Sequence, residues 1–164
     1  MKRAQIDAFC GCRETLYQRI VFFAAPAILL AGIVYVAVRY AQLPAEIPSH
    51  YNFYGEIDGY GNRGTLWITP VIGILCDALM LAVSFFPQTW NVGTSVTVFN
   101  RALVYRRVRD LIADIRLSIA VMFTAIAVWQ TALAPTFPWG MGVLIGVCCT
   151  APLVRFFVRL AMKK

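Results

Sequence analysis

The stretch from Arg39 to Thr65, RYAQLPAEIPSHYNFYGEIDGYGNRGT, gathers most of the side chains in this chain that could do chemistry. It holds the sole histidine, His50, with Asn52, Glu56 and Asp58 at short even spacings and three tyrosines, Tyr51, Tyr54 and Tyr60, interleaved. A neutral imidazole beside two carboxylates offers nitrogen and oxygen ligands for a divalent cation, so His50, Glu56 and Asp58 form a candidate metal set. The same groups suit recognition: His50, Asn52, Tyr54, Glu56, Asp58 and Tyr60 together offer donors, acceptors and amphipathic rings, and the histidine adds a proton-sensitive latch. A third reading is architectural, with His50 and Asn52 satisfying the backbone of an irregular loop. All three stay open at this stage.

Geometry decides which of these groups can meet. Pro44 and Pro48 bias the residues before them to extended backbone, and Gly55 supplies a turn position. If Phe53-Tyr54-Gly55 is a three-residue turn, Asn52 faces Glu56, His50 faces Asp58, and one face of a hairpin carries all four. The competing register turns on Asp58-Gly59 and scatters them.

One further ionisable residue stands out. Asp77 lies eleven residues into an apolar run, where a charged side chain costs at least ~2.5 kcal/mol and must be neutral or partnered. Counting depth along the runs suggests Trp129 and Gln130 as partners, in either a functional or a purely structural role. Elsewhere the sequence has no glycine-rich phosphate loop, nucleophile elbow or paired Cys/His catalytic set, so neither an enzyme nor a resident cofactor is expected. The five cysteines avoid the 39–65 segment, which argues against a disulfide framework, and Cys10-Gly11-Cys12 is half a zinc site at most.

The elements that must position these groups are membrane spans. Of 164 residues 60% are hydrophobic and 14% charged, and the mean hydropathy is +0.68, which excludes an ordinary water-soluble domain. Apolar runs predict four helices over about 20–38, 66–86, 117–134 and 139–158, each long enough to cross a hydrocarbon core of about 30 Å. The expected architecture is an all-α membrane protein over 1–164, one domain, with a short loop or hairpin between helices 1 and 2. The net charge of +7 sorts by position. All Lys and Arg except Arg39 and Arg63 flank the N-terminus, the segment between helices 2 and 3, or the C-terminal end, with Arg155 expected to snorkel to the interface. The positive-inside rule then puts both termini in the cytoplasm and the 39–65 loop outside, and a nucleic-acid partner is not expected. Residues 96–115 carry apolar side chains at helical spacing (Val98, Ala102, Tyr105, Val108, Ile112, Ile115), predicting an amphipathic helix on the inner leaflet that leads into helix 3 and could meet a regulator. Gly140, Gly142, Gly146 and Ala151 suggest close helix contact, within the chain or in a homo-oligomer.

The run from Leu43 to Gly61, with Leu43, Pro44, Ile47, Pro48, His50, Asn52, Gly55, Asp58 and Gly61 at their spacings, resembles the LPxxIPxHxNxxGxxDxxG signature of a bacterial membrane family of unknown function. That module, about 20–86 here, is similar to the N-terminal part of SdpI-type membrane proteins. Asn91 and the Asn100-Arg101-Ala102 stretch resemble further family features, with Gly93 where a proline is expected. The resemblance implies a multi-pass protein of the bacterial inner membrane that gives immunity to a secreted toxin and signals to a membrane-tethered repressor. SdpI-type proteins carry additional C-terminal spans, so the implication rests on part of their architecture. The resulting expectation is a binding or sensory protein that recognises an extracytoplasmic peptide, protein or ion through residues 43–65. A small transporter using Asp77 is the alternative, and a membrane metalloenzyme using His50, Glu56 and Asp58 ranks last.

Overall fold

The computed structural model describes residues 2–92 and 95–161, so Gly93, Lys163 and Lys164 lie outside the described residues. In chain order it contains α1 (Arg3–Cys10), α2 (Leu16–Tyr40), β1 (Glu46–Tyr51), β2 (Ile57–Asn62), a 3-10 turn over Arg63–Trp67, α3 (Ile68–Ser84), a second 3-10 turn over Pro87–Thr89, α4 (Arg101–Gln130) and α5 (Trp139–Ala161). Among the described residues four helices are long and apolar enough to cross a membrane. The chain is a mostly helical, multi-pass membrane protein.

Local chemistry sets where these helices begin. Thr15 and Gln18 form a reciprocal cap, the Thr15 hydroxyl accepting from the Gln18 amide at 3.2 Å and the Gln18 side chain accepting from the Thr15 amide at 3.1 Å, so α2 starts four residues before the apolar run. Asn62 accepts from the Gly64 amide at 2.8 Å and opens the 3-10 turn that leads into α3. Pro70 is the third residue of α3, close to the junction where the 3-10 turn passes into the α-helix.

The segment expected as an amphipathic surface helix followed by a span is instead one 30-residue helix, α4. Nothing around Ile115-Arg116-Leu117 breaks a helix, and a charged residue alone does not end one. Of the expected apolar stripe, Tyr105, Val108 and Ile112 are buried within the bundle, while Ala102 is exposed and Val98, also exposed, lies before the helix. Tyr105 is buried with Ile6, Cys10 and Cys12, and Phe9 packs on Tyr105 edge-on at 5.5 Å between ring centroids. Tyr105 is covered by α1, which the sequence reading did not anticipate, together with Phe85, Trp90 and Val92 of the α3–α4 connection. The signal of α1 was Gly11, which takes φ +68° and ends the helix while the Cys12 amide donates back to the Asp7 carbonyl at 3.2 Å.

α4 touches α1, α2, α3 and α5 and is the axis of the bundle. Its Ala113 and Ala120 close one core layer with Val21, Ala25 and Leu29 of α2. Ala127 closes another with Val36, Leu43, Ile47 and Leu66. Close approach uses glycines other than those expected. A Cβ on Gly73 would stand 2.8 Å from the Phe123 Cβ, and one on Gly32 would stand 3.0 Å from Thr124, so these two residues let α3 and α2 lie against α4. Gly140 and Gly146 of α5 have nothing within 4 Å of a built Cβ, and Gly142 meets only the Phe137 ring at 3.8 Å. These three glycines of α5 therefore make no close helix contact within the described chain.

Candidate functional site

Two polar regions sit at opposite ends of the bundle. At one end is the two-stranded antiparallel hairpin β1–β2. Its turn falls on Phe53, Tyr54 and Gly55: the Asn52 amide donates to the Glu56 carbonyl at 2.8 Å, the Gly55 amide donates to Asn52 at 2.9 Å, and Gly55 takes φ +81°. The Asn52 side-chain oxygen accepts from the Tyr54 and Glu56 amides at 2.9 and 3.0 Å, and its amide nitrogen donates to Glu56 Oε2 at 3.1 Å. Asn52 and Glu56 thus hold the turn. His50 Nδ1 lies 2.5 Å from Asp58 Oδ1, although the backbone partner of His50 is Gly59, because the strands shift register on either side of His50. The shift has a cause in packing: a Cβ at Gly59 would stand 3.1 Å from the His50 Cβ, so glycine lets the imidazole lie over β2.

The hairpin is braced against the loop between α4 and α5. The Phe137 amide donates to the Gly55 carbonyl at 2.8 Å, and the Tyr51 hydroxyl donates to the Ala134 carbonyl at 2.9 Å. The Tyr51 ring lies 5.1 Å from Trp129 and 6.2 Å from Phe137. Burial, with a smaller contribution from Tyr60, pushes the Tyr51 phenol above its ordinary range. Leu43 and Ile47 are core residues, and the Arg63 guanidinium donates to the Leu43 carbonyl at 3.1 Å while lying over the Tyr40 ring.

Most of the motif from Leu43 to Gly61 therefore builds the hairpin. Facing outward are three rings, Phe53 98% exposed, Tyr54 85% and Tyr60 67%, with the Phe53 and Tyr54 rings edge-to-face, and beside them the exposed polar side chains of His50, Glu56 and Asp58. Phe53 was not among the expected contact residues, although it sits at the centre of the expected turn. For the metal reading, His50 and Asp58 come together while Glu56 is held by Asn52, and among the described residues no three His, Cys, Asp or Glu side chains converge. Cys10 and Cys12 are free and buried in an apolar cluster, and burial pushes the Cys10 thiol up to about 11.

The opposite end is a lattice of ion pairs. Asp77 accepts two hydrogen bonds from Arg116, from Nε at 2.8 Å and Nη2 at 3.0 Å, with both side chains at most 7% exposed. This replaces the expected partners. Gln130 instead accepts from the Thr69 hydroxyl at 2.9 Å, which fixes the relative height of α3 and α4. From that level Asp77 lies about 12 Å along α3 and Arg116 about 21 Å along α4, a gap the long arginine stem can bridge. Two α4 acids one turn apart face two α5 arginines one turn apart: Asp110 pairs with Arg159 at 2.6 Å, and Asp114 with Arg155. Arg155, expected to snorkel away, is thus an interhelical partner that also stacks on Tyr17, whose hydroxyl donates to Asp114. Arg109 donates to Asp7 at 2.7 Å and joins α1 to α4.

With this geometry in place, the comparisons with known proteins are sparse. The family described as Domain of unknown function (DUF1648) matches residues 27–74, from within α2 through the hairpin into α3. An uncharacterized protein of Archaeoglobus fulgidus is 24% identical over 145 residues, covering 79% of each chain. No solved structure matches. The chain is thus a multi-pass membrane protein that shares its hairpin module with a family of unknown function.

Proposed function

We propose that this chain is a recognition protein of the bacterial cytoplasmic membrane whose hairpin binds an extracytoplasmic peptide or protein segment. Both termini and the lattice of ion pairs face the cytoplasm, and the hairpin faces outward, in keeping with the distribution of Lys and Arg along the chain. The observation that carries the reading is the contrast within the hairpin: a frame fixed by Asn52, Gly55, Tyr51 and Ile47 presents three rings, Phe53, Tyr54 and Tyr60, to solvent. Rigid aromatics lose little entropy on contact and are the residues that dominate binding surfaces. The His50–Asp58 pair borders them and supplies polar selectivity. Immunity to a secreted toxin is one use of such a surface and agrees with the resemblance to SdpI-type proteins.

The test is toxin or peptide challenge of cells expressing the chain, with binding measured on the purified protein in nanodiscs. Phe53→Ala with Tyr54→Ala should abolish binding and protection, while Leu79→Ala on the exposed apolar face of α3 should leave both intact. Equal behaviour of the two variants would refute the reading.

A further inference from the structure

A second polar feature is independent of the hairpin. At the ion-paired end, where α2 begins and α3 ends, the bundle forms a partly open cavity of about 60 Å³. Its charged walls are Arg3, Arg109 and Arg116 against one carboxylate, Glu14; Gln18 and Ser84 add polar groups, and the rest of the lining, Phe22 included, is apolar. Asp7 and Asp77, which neutralise Arg109 and Arg116, do not line it. Arg109 and Arg116 therefore meet the space with their counter-charges outside its lining, whereas the partner of Arg3, Glu14, is part of it.

Counting donors sharpens this. A guanidinium carries five N–H donors in a planar fork. Arg116 uses Nε and Nη2 on Asp77, Arg109 uses Nη1 on Asp7 and the Cys12 carbonyl, and Arg3 uses Nη1 on Glu14. Nη1 of Arg116, and Nε and Nη2 of Arg109 and Arg3, carry no protein acceptor among the described hydrogen bonds. They are not sealed off either, since among the described residues the buried side-chain nitrogens without a partner are Arg39 Nε and Trp129 Nε1. For Arg116, whose side chain is 4% exposed, the open space it lines is this cavity. Arg3 and Arg116 both stack on the Phe22 ring, at 4.2 and 5.7 Å, which holds two of the forks in place.

A site of unspent, pre-oriented guanidinium donors suits a tetrahedral oxyanion. The volume corresponds to roughly four to six water positions, the scale of one phosphate group. Gln18 is the third residue of α2 and Ser84 the last of α3, and both line the cavity, so it lies at the depth of lipid headgroups. We propose that this cavity binds a phosphate group, the chemistry shared by an anionic phospholipid headgroup and free phosphate.

The experiment uses the full chain in detergent with three probes: dioctanoyl phosphatidylglycerol, inorganic phosphate, and dioctanoylglycerol as the phosphate-free control. Two variants with opposite expected signs accompany it. Arg3→Gln removes a wall cation and should weaken phosphate-group binding about tenfold. Glu14→Gln removes the lining carboxylate and should tighten it roughly threefold, which damage to the fold would not do. Binding of phosphatidylglycerol with this pair of opposite responses assigns the site to a lipid headgroup, and the same pattern for inorganic phosphate alone assigns it to the free ion. Equal binding of dioctanoylglycerol, absence of binding by both phosphate probes, or variants that leave affinity unchanged would overturn the proposal.

Discussion

Asp77 of α3 and Arg116 of α4 meet fork to carboxylate, two hydrogen bonds of 2.8 and 3.0 Å between side chains that are almost fully enclosed. Removing one partner of such a pair leaves the other as a buried, uncompensated charge, at a cost of about 3–5 kcal/mol, whereas replacing both by apolar residues is often neutral. Asp77→Asn should therefore lower the unfolding midpoint in detergent sharply, and Asp77→Leu combined with Arg116→Met should recover most of the loss. A double-mutant cycle on thermal unfolding measures it, and additive single effects would show that the pair is not coupled.

The contact between α3 and α4 depends on the absence of a side chain at Gly73. A methyl group there would stand 2.8 Å from the Phe123 Cβ and 3.1 Å from Leu29. Gly73→Ala is expected to destabilise by about 1–3 kcal/mol through overpacking. Gly146→Ala on α5, where nothing lies within 4 Å, should be neutral or slightly stabilising, and comparing the two melting curves is the check.

The hairpin should loosen locally before the bundle does. Gly55 holds φ +81°, so Gly55→Ala places a Cβ in left-handed backbone at a cost of roughly 1–2 kcal/mol. Tyr51→Phe removes the hydrogen bond to the Ala134 carbonyl, worth about 1 kcal/mol. Amide exchange at Asn52 and Gly55 should speed up in both variants while exchange in α4 stays unchanged.

Cys10 offers a titration with a defined sign. Its thiol is held at about 11 by burial, above its ordinary value, so the folded state retains the proton that the unfolded chain gives up first. The stability it contributes is complete below the unfolded pKa of about 9 and drains away as pH rises toward 11. In wild type the melting temperature should fall over that window, and Cys10→Ala should flatten this component.

What could be read from the sequence followed the strength of each physical signal. Long apolar runs, two of them broken by a single charge, marked all four spans, because a bilayer demands length and hydrophobicity together. The turn was legible only as one of two registers, because Gly55 and Asp58-Gly59 both offer turn chemistry and the sequence does not show which of them the packing selects. Arg116 was misread as a flanking charge: hydropathy counts a guanidinium as an exit from the membrane and cannot see a carboxylate approaching from another helix. The same blindness hid the ladder of Asp110 and Asp114 against Arg159 and Arg155, whose members are far apart in the chain. α1 was missed because eight residues of mixed polarity carry little periodic signal, and the Tyr105 face it covers then looked like a surface for lipid. Phe53 was overlooked because an apolar residue in a turn reads as spacer until its exposure is known.

The sequence separation of Asp77 and Arg116 also bears on how the protein is made. Arg116 follows Asp77 by 39 residues, so at roughly 5–20 residues per second the acid emerges some 2–8 s before its partner. During that interval α3 has an unmatched carboxyl and cannot settle in lipid as a charged helix. Until then the neutral acid is the form compatible with lipid, so the arrival of Arg116 is the step at which Asp77 can ionise inside the bundle.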